Sequence, residues 1–225
     1  MTINTVSTFS KTDDLQQDAE FIDEVIQILQ TGYPNAGCEL NYEAPFQLLI
    51  ATILFTQSTE EKVNEVLSAL FTHFPTPMDL VEAHRVDIEN LIRPVGFYRQ
   101  KAKFVQETAR ILVESYEGVI PADISVLVQL PGVSRKTANI ILGELYDIAE
   151  GISVDTNVHR VANRLELSDG KNATKVENDL MKVVPQEYWI ELSHLFSIHG
   201  QMVCYPKRPN CRGCLLKKTC PSSQV

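Results

Sequence analysis

The chain has 225 residues, 44% of them hydrophobic, enough to bury a core in one or two domains, and its ordinary glycine and proline content excludes a fibrous or low-complexity class. The formal net charge of −9 weighs against a uniformly basic nucleic-acid binder. The longest apolar stretch, residues 48–55, is far too short to span a bilayer. Residues 1–17 are polar with no apolar centre, so the N-terminus reads as a disordered tail rather than a secretory signal, and a soluble intracellular protein is expected.

In chain order, nearly every segment has helical periodicity and none has a convincing strand alternation, so the fold class is all-α. Phe21, Val25, Ile28 and Leu29 recur at helical spacing. Pro45 can open a helix that runs to Phe55 and is apolar nearly all round, as a central helix would be. Ser58 or Thr59 can cap the next, with Val63, Val66, Leu67 and Leu70 inward, and Pro75 and Pro77 end it. Short helices are expected over residues 78–83 and 86–92. A longer one over 99–116 has Ala102, Val105, Ala109 and Leu112 on one face. Helices over 123–129, 135–145, 156–165, 173–183 and 186–201 complete the pattern.

Leu130-Pro131-Gly132-Val133-Ser134-Arg135-Lys136 joins two of these helices. Pro131 and Gly132 force a tight turn, and backbone amides at the start of the following helix can bind an anion such as a DNA phosphate. Read alone, the turn also suits a plain helix connector. Lys136 falls in the first helical turn, off the buried stripe. A cation there meets the positive end of the macrodipole, and an amine must be neutral to attack carbon. Downstream, Asp155 in Val154-Asp155-Thr156-Asn157 is placed either as an N-cap or as a carboxylate serving a nucleophilic amine.

Four of the five cysteines are crowded together as Cys204-x6-Cys211-x2-Cys214-x5-Cys220, which reads as a metal site. By spacing alone, zinc and a [4Fe–4S] cluster fit equally. Cys38 stands apart as an ordinary cysteine. Lys207, Arg208, Arg212, Lys217 and Lys218 lie among the four cysteines, where there is no acid; this is either a solvated tail or a phosphate-binding patch. Acids crowd instead at Asp13, Asp14, Asp18, Glu20, Asp23 and Glu24, so a strong charge asymmetry is expected.

Together, the hairpin 130–136 with Thr137-Ala138-Asn139, then Val154-Asp155-Thr156 with Arg160-Val161, and the cysteine ladder resemble the endonuclease III family of helix–hairpin–helix glycosylases, over residues 21–220. The resemblance implies a two-lobed all-α fold with DNA bound between the lobes. One lobe is a six-helix barrel over residues 41–154. The other joins residues 18–40 to residues 155–225 and holds a [4Fe–4S] cluster on Cys204, Cys211, Cys214 and Cys220. It implies a bifunctional DNA glycosylase and abasic-site lyase of base-excision repair, acting on damaged pyrimidines in double-stranded DNA. Such a protein would be monomeric and cytoplasmic, at the nucleoid. Lys136 would be the nucleophile and Asp155 its carboxylate partner. Gln57 would fill the gap left by the flipped nucleotide, with Phe97 and Tyr98 wedging the opposite strand. Gly132, Val133, Ser134, Arg135, Lys207 and Arg208 would contact DNA.

This sequence departs from the family pattern at three places. Ser134 replaces a second hairpin glycine, Asn157 replaces the histidine usual in bacterial members, and Gln57-Ser58-Thr59-Glu60 replaces Gln-Thr-Thr-Asp. Two alternatives stand beside the main reading: a monofunctional adenine or mismatch glycosylase, and a non-catalytic DNA-binding relative. Against the first, Ala51-Thr52-Ile53 stands where a glutamate general acid is expected, Lys136 is present, and the short stretch after Cys220 is expected to hold no further domain.

Overall fold

The structure is a computed structural model that describes residues 11–225, with side chains from Glu20 onward. It is all-helical, and no strand occurs among the described residues. The helices fall into two compact units, one of residues up to 37 with 151–225, the other of residues 38–150.

The 38–150 unit is built around α2 (Pro45–Phe55). Pro45 starts this helix where its missing N–H costs nothing, and Phe46 through Leu54 are all buried, as expected for an apolar helix with no polar face. Around it lie α3 (Glu60–His73), α4 (Pro77–Glu82), α5 (Arg85–Leu91), α6 (Tyr98–Tyr116), α7 (Ile124–Leu127) and α8 (Arg135–Tyr146). Thr59 caps α3 through its side chain, and Thr76 with Asp79 forms a capping box on α4. The segment 123–129 yields only one helical turn, because Asp123 acts as the cap and the chain tightens toward the hairpin.

The other unit packs α1 (Lys11–Gly32), α9 (Thr156–Arg164), α10 (Ala173–Val183) and α11 (Trp189–Met202), the last preceded by a 3-10 turn at Gln186–Tyr188. Helix α1 begins at Lys11, so residues 11–17 are helical backbone rather than tail; the tail expected at residues 1–10 lies outside the described residues, as do the side chains of Asp13, Asp14 and Asp18. Its buried stripe is Ile22, Val25, Ile26 and Leu29, a clean i, i+3, i+4, i+7 set. Phe21 and Ile28, expected inward, lie at its edges and are only partly buried. Among the described residues no helix is long and apolar enough to cross a membrane.

The hairpin between α7 and α8 is pinned from below. Gly132 has φ +81°, and a Cβ there would come within 2.9 Å of Phe104 Cδ2 and 3.0 Å of Ile53 Cγ2. The Thr108 hydroxyl donates to the Pro131 carbonyl at 3.0 Å, tying the turn to α6. Gly132→Ala must therefore strain both backbone and packing. Urea denaturation should show a loss of about 2 kcal/mol or more, whereas Gly37→Ala, with nothing within 4 Å of its Cβ, should lie within about 0.5 kcal/mol of wild type.

Candidate active site

Lys136 is the second residue of α8, directly above the pinned hairpin. It is half-buried, and its Nζ lies 5.0 Å from the ring centroid of Phe55, the last residue of α2. A cation over an aromatic face is attracted by the ring quadrupole, so Phe55 gives a long, flexible side chain one preferred position. Ser134 caps α8: its hydroxyl accepts from the Thr137 N–H at 3.2 Å, and its backbone is ordinary extended chain (φ −89°, ψ 168°). Serine in place of the second glycine thus costs nothing in conformation and gains a cap. Ser134 and Arg135 are exposed, whereas the Val133 side chain is buried and leaves only backbone for a ligand.

Gln57 and Phe97 are both exposed, Phe97 at 69%, which excludes it from the core. Both have left-handed backbones, φ +55° and +57°. For non-glycine residues this conformation is uncommon and strained, and such outliers concentrate at functional loops. Tyr98 is instead half-buried, packed against the core with the Arg99 guanidinium 5.4 Å from its ring centroid.

In the other unit Asp155 is the N-cap of α9. Its Oδ1 accepts from the Asn157 and Val158 amides, both at 2.7 Å, and its Oδ2 accepts from the Ser197 hydroxyl at 2.8 Å. The cap is therefore real, and the carboxylate is fixed by three donors, one of them on α11. Asn157 accepts from Arg160 Nη2 at 2.7 Å, and the same guanidinium donates to the Gly200 and Cys204 carbonyls, each at 2.7 Å. Arg164 donates to the Cys204, Tyr205 and Pro206 carbonyls and to Cys204 Sγ at 3.1 Å. Two arginines on α9 thus hold the chain that enters the cysteine loop. Ser197 and Arg164 gain their roles from partners about 40 residues away in sequence, so no local pattern marks them.

Cys204, Cys211, Cys214 and Cys220 all line one cavity of about 140 Å³, and none of them is in a disulfide. Burial, and then the neighbouring thiols of the set, push Cys214 and Cys220 up. Such a crowded set is relieved by a bound cation that displaces the protons. Among the described residues no three Cys, His, Asp or Glu side chains are grouped to hold a single metal ion. Four thiols lining one cavity supply a donor set that either zinc or a [4Fe–4S] cluster takes. Cys38 is half-buried beside the other core, and burial pushes its thiol up to about 11. Lys207, Arg208, Arg212, Lys217 and Lys218 are all exposed, and no acid follows Glu191 in the sequence.

Residues 50–186 match the family model of the HhH-GPD superfamily base excision DNA repair proteins. The chain is 43% identical to endonuclease III of Synechocystis sp. over 202 residues, 90% of this chain and 92% of that protein. It is 36% identical to endonuclease III of Escherichia coli K12 over 88% of this chain and 93% of that one. A solved structure of a trapped covalent endonuclease III–DNA intermediate superposes with a TM-score of 0.85 at 35% identity, covering 92% of this chain and 96% of that one.

The cap and any chemistry at Asp155 are separable. Asp155→Ala should lower stability by about 1–2 kcal/mol in a denaturant titration, and Asp155→Asn, an equally good cap, should recover most of that loss.

Proposed function

Because the chain belongs to the endonuclease III family of HhH-GPD base-excision repair proteins, and is a bifunctional DNA glycosylase and abasic-site lyase, we propose that Lys136 is its nucleophile and Asp155 the carboxylate that serves it. The observation that supports this most strongly is the position of Lys136. The pinned hairpin and the Phe55 face fix a primary amine in the first turn of α8.

The proposed substrate is double-stranded DNA with a damaged pyrimidine or an abasic site. The damaged nucleotide leaves the stack at a cost of a few kcal/mol, least for a damaged base. Gln57 occupies the gap, and Phe97, with Tyr98 behind it, presses on the opposite strand. Exposed Ser134 and Arg135, the backbone at Gly132 and Val133, and the cations Lys207 and Arg208 hold phosphates. Neutral Lys136 Nζ attacks C1′ of the sugar, and the glycosidic bond breaks with its electron pair leaving on the base. Asp155 stabilises positive charge developing on the sugar and relays the proton lost from the amine. Opening of the sugar ring gives a Schiff base at C1′. Removal of a C2′ proton then expels the 3′ phosphate, and hydrolysis frees the lysine.

The four cysteines are proposed to hold a [4Fe–4S] cluster, which would tie down the basic loop and take no part in the reaction with the base. The chain is proposed to act as a monomer on intracellular DNA.

Two results are expected. Single-turnover assays at fixed salt on a thymine-glycol duplex should show Lys136→Ala losing base excision and nicking by about 10³-fold or more, with Asp155→Asn folded but slowed by about 10²-fold; wild-type rates in Lys136→Ala would refute the assignment. The purified protein should be yellow-brown with about four irons and four sulfides per chain, and a colourless zinc protein would remove the cluster.

A further inference from the structure

Lys101 is 4% exposed, a depth at which lysine is rarely found unless paired. Its ammonium donates to two uncharged partners, the Leu54 carbonyl at 2.7 Å and the Ser58 hydroxyl at 2.9 Å. Burial without a carboxylate pushes it down to about 8. Holding a charge there costs stability that an apolar side chain of similar length would not, so packing alone does not account for it.

Its partners do. Leu54 and Ser58 bracket Gln57, the exposed residue with a left-handed backbone. The backbone N–H of Lys101 meanwhile donates to the Phe97 carbonyl at 3.0 Å, and Phe97 is the second exposed left-handed residue. Between the two, Gly96 comes so close that a Cβ there would sit 3.4 Å from the Gln57 carbonyl. The Lys101 side chain therefore ties the Gln57 loop to the first turn of α6, whose N-cap is Phe97 and whose first intrahelical bond fixes the Phe97 carbonyl.

We propose that Lys101 is a positioning residue that clamps the Gln57 and Phe97 loops at fixed spacing, so that both side chains enter the duplex as one preformed unit. This rests on the roles given to Gln57 and Phe97 above. Held in their strained conformations beforehand, the loops lose little further freedom on binding, and the benefit falls on damaged sites, where insertion occurs. Contacts to phosphates elsewhere are untouched.

The test compares affinity for a duplex carrying a tetrahydrofuran abasic analogue with affinity for the same duplex undamaged, at fixed salt, using the full chain. Lys101→Met, checked for a cooperative thermal transition, should bind the analogue about tenfold more weakly and the undamaged duplex like wild type. A merely destabilised protein would weaken on both. In the Gln57→Ala background, Lys101→Met should add nothing, because methionine keeps the backbone bond to Phe97 and severs only the side-chain hold on the Gln57 loop. Ser58→Ala, which removes one of the two acceptors, should reproduce a smaller loss in the same direction, and it decides the question if Lys101→Met does not fold. Wild-type affinity for the analogue in these variants, or losses that multiply with Gln57→Ala, would overturn the clamp. Wild-type affinity in Gln57→Ala itself would instead show that the role given to Gln57 is wrong.

Discussion

The chemistry assigned to this chain depends on one backbone constraint, the left-handed turn at Gly132. With no Cβ, the turn settles against Ile53 and Phe104, and the Thr108 hydroxyl closes it by donating to Pro131. The next helix must then begin at Arg135, capped by Ser134, and its second residue must be the lysine that lies over Phe55. Without that anchor, Lys136 would be one more solvated amine. With it, the amine has a fixed root, a preferred direction and a helix N-terminus beside it, as the nucleophile proposed here requires.

The unit that carries Asp155 solves a similar problem with polar contacts. Asp155 is held by two amides of its own helix and by Ser197 of α11. A carboxylate held by three donors keeps a fixed orientation, which suits the electrostatic role proposed for it. Arg160 and Arg164 bind the chain entering the cysteine loop, so α9 supports both the carboxylate and the first of the four thiols. The negative net charge does not conflict with DNA binding. Every charged residue after Glu191 is basic or histidine, so the cations are concentrated where the cysteines are.

Much of this was legible in the sequence because it is local. Helical periodicity placed the core faces of α3 and α6, Pro45 marked the start of the central helix, and Asp155 had the pattern of a cap. The errors also have local causes. In α1, Val25 and Leu29 do lie in the buried stripe, but Phe21 and Ile28 are apolar enough to mislead a short window while the stripe is completed by Ile22 and Ile26. The polar composition of residues 11–17 hid a helix. Ser134 departs from the family's second hairpin glycine, and only the fold shows that its hydroxyl caps α8. Nothing local could reveal that Lys101 is buried, because its partners lie 43 and 47 residues away. The Phe55–Lys136 contact is likewise invisible without the fold, since it joins the end of one helix to the start of another.

The central claim is that the ε-amine of Lys136 forms the covalent bond to the sugar. Borohydride reduction of the protein on an abasic duplex, followed by nuclease and protease digestion and mass spectrometry, locates that bond directly. The account predicts the sugar-phosphate remnant on the peptide that contains Lys136. A remnant on any other lysine or on the α-amino group, with Lys136 unmodified, would contradict it.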